Sequence, residues 1–570
     1  MQFYRKSGTL RRKSRFCLPL SKERCHLLSY MKRWSKGALI FKSYHRIYFL
    51  MNLSIPHRLL WLIPGLAATL FLTVKSSAYF LSGSRSLQQG FVLLTGLVIL
   101  GLLWALFLYW QRVDLALRRG LALTFGLGLL VRVILVVLTP MSSHFADTCL
   151  TMESGSVVSH DIRTYDPTDK PALRAQLRDD NYAYLPPMAT RPSEWNFHTS
   201  SHLPFSLLVY AVFDVWWPST VAFRLSFSVL DTLLCCFVYW WLWLMLVPLR
   251  RSEVPTGFIA YLRKGLKGRS IEFYVLGMVI LSPVLLKGGT VILETKGTCS
   301  LLMVASLCFF HQKSPRLKYL VSPALLGLSI AFMGVGVFLA PYFAGWLLLR
   351  QPRLGPSVRW PSARSIGDLV RFGLIAGLCT GIWFVPFVPD ILLMVKARLA
   401  FSTTNVLFAS PWKPVMALLP DQWILVKYAF SLLFLGTAGV GFLRGRLSIN
   451  TLTASLFLYF LTVSVTDGSM DRVYMSLLVT MLLVVAEYRR LVRWLVIVCG
   501  VGGVLTLAVG LVIYVMKQYF SRGYGLEFSV VDGYINAVFC LLFLWLIVRI
   551  TFGERKVGTP PVLVENSVTG

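Results

Sequence analysis

A chain of 570 residues that is 56% hydrophobic and only 14% charged falls well below the roughly 25% charged residues of soluble globular domains, which excludes a water-soluble fold. Its net charge of +32 does not indicate nucleic-acid binding, which needs a basic soluble domain. Only residues 1–50 have that composition, and they lack aromatic repeats or a recognisable motif. The ten cysteines form no CxxC pair and indicate neither a disulfide framework nor a metal site.

In chain order, residues 1–57 form a basic, polar N-terminal tail with Arg11-Arg12-Lys13 and Lys32-Arg33. Its first fifty residues carry a single acid, Glu23, and lack the apolar core of a signal peptide. Two readings of the tail stand side by side. It is a cytoplasmic segment that binds lipid headgroups, or it precedes the true start at Met31 or Met51. Apolar runs follow at 59–74, 90–110, 120–139, 203–217, 220–247, 271–288, 297–311, 319–349, 366–388, 421–442, 451–466, 473–487, 491–516 and 533–551. The run at 319–349 is one long helix or two short ones. Backbone amides in lipid must be satisfied within a helix. The expected fold is therefore all-α and integral to the membrane, a polytopic bundle of about 13–15 transmembrane helices over 58–551. A polar C-terminal tail, 552–570, closes the chain.

Lys and Arg set the orientation. The basic N-terminal tail and the loop with Arg112, Arg118 and Arg119 belong on the cytoplasmic side, which puts 141–202 outside. The segment 248–270 carries Arg250, Arg251, Arg263, Lys264, Lys267 and Arg269. It would also fall outside if 203–217 and 220–247 both crossed. Either 203–217 is a partial or re-entrant segment, or the charge rule fails there.

Residues 141–202 stand out, because connections in compact proteins have a median of about 4–6 residues. The loop holds Tyr165, Tyr182, Tyr184, Trp195 and Phe197 together with Asp147, Glu153, Asp161, Asp166, Asp169, Asp179, Asp180 and Glu194. Asp147 follows Pro140, where a span ends, by seven residues, so its carboxylate belongs at the membrane–water boundary. It reads as a helix N-cap or as a reactive group. Thr148 to Ser159 fits a short helix along the surface. Asp166-Pro167-Thr168-Asp169 and Asp179-Asp180 are solvated loop acids or ligands for a divalent cation, the one cofactor these residues suggest. The histidines of the loop, His144, His160, His198 and His202, match no zinc spacing. Arg132 lies inside a predicted span, where charge is costly and often functional, and Asp231 is a neighbouring acid able to pair with it.

The stretch from Asp147 through Tyr165-Asp166-Pro167 resembles the first external loop of GT-C glycosyltransferases, in which an Asp follows the first span. Tyr182-Ala183-Tyr184-Leu185-Pro186-Pro187, or His202-Leu203-Pro204-Phe205, resembles that family's lead-in to the next span. Phe223-Arg224-Leu225-Ser226 resembles its Arg-Leu pattern, and Ser282-Pro283 with Glu294 a later Pro-then-acid pattern. Asp471-Arg472-Val473-Tyr474 resembles an Arg-x-Tyr late span. Glu294 stands where the family more often has Asp, and a Lys common near Met333-Gly334 is missing. The likeness spans 147–345 and a patch near 466–480, and extends to mannosyl-, glucosyl- and aminoarabinosyl-transferases alike.

The resemblance implies an inverting transferase that moves a hexose or similar sugar from a polyprenyl-phosphate carrier to a hydroxyl on a glycan, lipid or protein, at the extracytoplasmic face. Its partners are those substrates and membrane lipids, with no nucleic acid. Asp147 would be the general base. Arg472 and Tyr474 would hold the lipid phosphate, and Tyr165, His202 and Arg398, with Asn405, would contact substrate. Glu153, Asp166 and Glu294 are secondary acidic candidates. The expected membrane is the bacterial inner membrane, with the endoplasmic reticulum as the alternative. A transporter or flippase of lipid-linked saccharide is the rival function; such proteins favour internal repeats and paired broken helices, and no repeat is visible. A structural membrane subunit is the third reading.

Overall fold

The computed structural model describes residues 66, 69–76, 78, 86–110, 113, 115–138, 155, 158–159, 203–217, 219–246, 271–275, 296–349, 362–391, 410–464, 470–489, 491–497 and 528–553. The chain divides into Met1–Thr73 and Val74–Gly570. In the first unit, 69–73 are helical, and Thr73 Oγ1 donates to the Thr69 carbonyl at 2.7 Å. The helical bundle belongs to the second.

Its elements are α1 (Leu87–Trp110), α2 (Leu115–Leu138), α3 (Pro204–Trp216), α4 (Thr220–Met245), α5 (Ile271–Val275), α6 (Lys296–Phe310), α7 (Ser322–Met333), α8 (Ala340–Leu349), α9 (Ala363–Gly381), α10 (Lys413–Leu418), α11 (Trp423–Leu443), α12 (Ile449–Leu458), α13 (Met470–Val484) and α14 (Phe528–Phe552). Starts are marked by local chemistry. Ser219, Ser362 and Ser448 cap α4, α9 and α12 by accepting from the amides of Ala222, Ser365 and Thr451, which satisfies donors that a helix leaves free in its first turn. Pro204 and Pro323 occupy first-turn positions of α3 and α7, where a missing N–H costs nothing. The apolar run at 319–349 is two helices. Gly334 ends α7 at φ +82°, a left-handed conformation that glycine adopts without strain.

Five described segments are long and apolar enough to cross a membrane: Leu87–Leu106, Leu117–Val137, Val221–Met245, Ala363–Val388 and Trp423–Leu443. Their outer faces are apolar too. Leu123, Leu130 and Val137 on α2, Leu374 and Leu378 on α9, and Leu425 and Leu432 on α11 are all exposed. Polar groups such as Arg132, Arg224, Asp231 and Thr232 are buried. Apolar outside and polar within is the distribution of a helical protein solvated by lipid.

Helix directions follow from the contacts. On α4, Arg224 reaches the Val136 carbonyl of α2 at 3.3 Å, while Cys236 reaches that of Leu121 and Tyr239 packs over Gly120, so α2 and α4 are antiparallel. The ends of α1, α4 and α6 meet where Tyr109, Trp240 and Phe309 pack with ring centroids 5.3–6.1 Å apart. Trp241 donates to the Leu482 carbonyl at 2.8 Å, which brings the C-terminal end of α13 to the same place. This end carries Arg118 and Arg119, Lys313, Arg316 and Lys318, Arg444 and Arg446, and Arg489 and Arg493; it is the basic end. The opposite, far end holds the start of α4 and the finish of α2. It also holds the finish of α7, where Leu203 meets Gly334, and the start of α13.

Helix α3 is short. Its 13 residues extend about 20 Å, short of a hydrocarbon core of about 30 Å. Both its termini touch the far end: Phe205 packs on Phe332 of α7 at 6.1 Å, and Phe213 packs on Phe223 and Phe227 of α4 at 6.0 and 5.2 Å. This packing is compatible with the partial-segment reading of 203–217. Consequently α4 ends at the basic end, and the Lys/Arg-rich segment 248–270, outside the described residues, follows it in sequence.

Candidate functional site

Most of the residues singled out from the sequence lie outside the described residues: Asp147, Glu153, Tyr165, Asp166, His202, Glu294, Arg398 and Asn405. Their described neighbours in the chain have definite positions. α2 ends and α3 begins at the far end, which brackets the segment holding Asp147, Glu153, Tyr165, Asp166 and His202. Glu294 stands two residues before the start of α6. That start lies at the far end, because Cys299 reaches the Ser329 carbonyl and Ser306 the Ser322 carbonyl of the antiparallel α7. Arg398 lies between Ile391 and Ser410. The first follows α9, which runs parallel to α7 (Tyr319 Oη to Asp368 Oδ2 3.4 Å, Thr380 Oγ1 to the Gly327 carbonyl 3.0 Å). The second precedes Trp412, whose Nε1 donates to the Val463 carbonyl beyond α12 at 2.9 Å. Arg472 and Tyr474 fall in the first turns of α13. All the described ends that flank these candidates are therefore at the far end.

Three residues of the long loop are described, Gly155, Val158 and Ser159, all helical and all buried. They do not lie along the surface. Ser159 Oγ donates to Asp214 Oδ2 of α3 at 2.7 Å, and Gln88 Nε2 of α1 donates to the Val158 carbonyl at 3.0 Å. Gly155 runs against the Tyr210 backbone so closely that a Cβ would sit 2.8 Å from its carbonyl carbon; only glycine permits that approach. The loop is thus anchored about ten residues after Asp147 on a helix that is itself buried on nearly every side.

Deeper in the bundle, α2 and α4 enclose a charged seam. Arg132 and Asp231 are 0% and 1% exposed. Arg132 Nη1 donates to the Gly128 carbonyl at 3.1 Å, and the charge of the guanidinium acts on the Asp231 carboxylate and the Cys235 thiol. Arg132 Nε and Nη2 and Asp231 Oδ2 have no hydrogen-bond partner. The pairing of Arg132 with Asp231 that the sequence offered is present as electrostatic coupling across the helix interface. Arg224, which the sequence offered only as part of an Arg-Leu pattern, is 2% exposed and donates to a carbonyl in the last turn of α2, where the helix has no internal donor left.

The basic end has a polar network that the sequence reading missed. His311 Nε2 and Tyr342 Oη share a hydrogen bond of 2.5 Å. Trp346 Nε1 donates to Asn450 Oδ1 at 3.0 Å, and Asn450 Nδ2 donates to Glu487 Oε1 at 3.1 Å. Tyr109 Oη donates to Gln312 Oε1 at 3.0 Å, and Tyr274 Oη to the Arg489 carbonyl at 3.3 Å. His311 is half-buried as a residue, and its ring is enclosed by Trp241, Phe310 and Trp346 at 5.4–5.5 Å. That burial, aided by Lys318, pulls its pKa down to about 4. The visible sequence signal was a lone polar residue at each of several helix ends, which does not say which of them meet.

Among the described residues no group of three or more His, Cys, Asp or Glu is placed to hold a metal ion. No protein-family model, no curated protein and no solved structure matches the chain.

Proposed function

We propose that this helical membrane protein is an inverting GT-C-type glycosyltransferase, which moves a hexose or similar sugar from a polyprenyl-phosphate carrier to a hydroxyl acceptor at the extracytoplasmic face of a bacterial plasma membrane. The observation that supports it is the common location of the flanking helix ends. Those beside Asp147, Glu294, Arg398 and Arg472 are all at the far end, opposite the end rich in Lys and Arg, and cytoplasmic ends are the ones enriched in Lys and Arg. Acceptor hydroxyl, donor phosphate and sugar then meet on one face.

In this reading Asp147 takes the proton of the acceptor hydroxyl as its oxygen attacks the anomeric carbon. The bond from that carbon to the lipid phosphate breaks, the phosphate oxygen keeps the electron pair, and Arg472 and Tyr474 stabilise its charge. Tyr165, His202 and Arg398 contact the substrates. The test is Asp147→Asn in purified protein against a panel of polyprenyl-phosphate sugars. The variant is expected to insert and fold normally and to transfer at least ~100-fold more slowly, since a general base contributes roughly 10²–10⁴-fold. Near-normal turnover in Asp147→Asn would overturn the mechanism. Movement of lipid-linked sugar across vesicles without transfer would replace it with the transporter reading.

A further inference from the structure

An apolar cleft of about 190 Å³ opens sideways between α1 and α7, floored by α4 and α6. Leu103 and Leu106 form one wall, Leu325 and Leu328 the other, and Leu233 and Ala305 line the floor. Its polar lining is confined to Tyr109 and Thr298. It runs from Tyr109 and Leu317 at the basic end as far as Leu328, eleven residues along α7 and its lead-in, or about 16 Å, and Phe205 and Val209 of α3 with Thr298 of α6 close it towards the far end. That is roughly half of a hydrocarbon core of about 30 Å, the depth of one leaflet.

The mouth is cationic. Leu317 opens a π turn, Leu317–Val321, and π turns recur at functional positions. Both of its end residues line the cleft. Lys318 sits within the turn, with Nζ 4.9 Å from the ring centre of Phe310, and Lys313 and Arg316 just before it are exposed. His311 to Tyr319 contain no acid.

We propose that this cleft binds one acyl chain of an anionic diacyl phospholipid from the leaflet at the basic end, with the headgroup on the exposed Lys313 and Arg316. Lipid tails are as apolar as leucine, so exchanging one lipid for another gains little from the chain itself. Selection falls to the headgroup, and two exposed cations just before the turn favour an anion over a zwitterion. The inference rests on the bundle crossing a bilayer and not on the transferase reading, whose site belongs to the other end.

Native mass spectrometry of the full chain, given equal amounts of dioleoyl phosphatidylglycerol, dioleoyl phosphatidylcholine and undecaprenyl phosphate, tests it. Phosphatidylglycerol is expected to be retained at least ~10-fold over phosphatidylcholine. A Lys or Arg beside an anionic headgroup is worth about five-fold, so Lys313→Gln with Arg316→Gln, both exposed, should lower retention roughly 25-fold. Val321→Trp, which fills the cleft, should abolish it, and Leu103→Trp on the rim does the same if Val321→Trp fails to fold. Equal retention of the two phospholipids, unchanged retention in the filled variant, or displacement by undecaprenyl phosphate would overturn the proposal. Asp147→Asn should retain phosphatidylglycerol as wild type does, so this site and the transferase site succeed or fail separately.

Discussion

The two ends of the bundle are built differently. At the basic end, the connections between neighbouring helices are short, 111–114, 311–316 and 444–448, and side-chain hydrogen bonds tie α6 to α8, α8 to α12 and α12 to the end of α13. At the far end the connection from α2 to α3 runs from 139 to 203, and the short α3 is buried on nearly every side. Long connections on a rigid scaffold are where binding and catalysis concentrate. The difference suggests a division of labour. Changes at the basic end and along the helix seams should cost stability and leave turnover per folded molecule alone, whereas changes in the far-end loops should cost turnover first.

The largest expected stability effect lies between the two ends, at the α2–α4 seam. Arg132→Leu removes the cation that favours the ionised form of the buried Asp231, so the carboxyl is left uncompensated or must take up a proton, and breaking a buried pair costs up to about 3–5 kcal/mol. Arg132→Leu with Asp231→Leu removes both charges and should recover most of the loss. Unfolding in mixed micelles measures both. A double variant no more stable than the single would mean that the two charges are not coupled. A double variant that folds but transfers no sugar would give the seam a functional role and blur the division.

Next comes Asn450 at the basic end, whose side chain serves Trp346 and Glu487 at once. Asn450→Leu removes both hydrogen bonds, each part-buried, and a hydrogen bond contributes about 0.5–1.5 kcal/mol net. A loss of about 1–3 kcal/mol is expected, with transfer per folded molecule unchanged. Turnover falling along with stability would show that this end is coupled to the chemistry.

His311 gives the same network a pH dependence. With the folded pKa near 4 and the unfolded one near 6.5, the unfolded chain takes up the proton first. The stabilisation is therefore fully present above about pH 6.5 and is lost as pH falls from there towards 4, by at most about 3 kcal/mol. Unfolding measured from pH 7.5 down to 5 should show the decline, and His311→Phe should flatten it. A profile unchanged by that substitution would place the titrating group elsewhere.

How much of this was legible depended on the kind of signal. Helix positions were, because an apolar run in lipid has only one backbone solution: the run at 220–247 is α4 at 220–245, and the run at 421–442 is α11 at 423–443. The split of 319–349 was left open, since Gly334 reads the same whether it lies inside a helix or ends one; its φ decides. Arg132 and Asp231 were legible as intramembrane charges. Arg224 as a cap for α2, and the links from His311 to Tyr342 and from Asn450 to Glu487, were not. Those contacts join residues 31 to 88 positions apart, and nothing local in the sequence specifies which helix faces which. Asp214 was passed over because its neighbours made 203–217 look like an ordinary span, yet an acid 6% exposed in an apolar helix needs a partner.

That partner, Ser159, gives the smallest and most discriminating test, because it lies at the far end yet works as scaffold. Its hydroxyl donates to a carboxylate at 2.7 Å in a buried setting, and hydrogen bonds to charged groups contribute about 1.5–3 kcal/mol. Asp214 has further interactions, so Ser159→Ala should cost about 1–2 kcal/mol, the lower part of that range. The bond also fixes the loop twelve residues beyond Asp147. If the far end carries the chemistry, loosening that anchor should slow transfer several-fold while Asp147 itself stays in place, and Ser159→Thr, which keeps the hydroxyl, should restore much of the rate. A strict division predicts that the stability loss is smaller than that of Asn450→Leu while the rate loss is larger. Ser159→Ala with full turnover and reduced stability would make this anchor, like the basic end, scaffold alone.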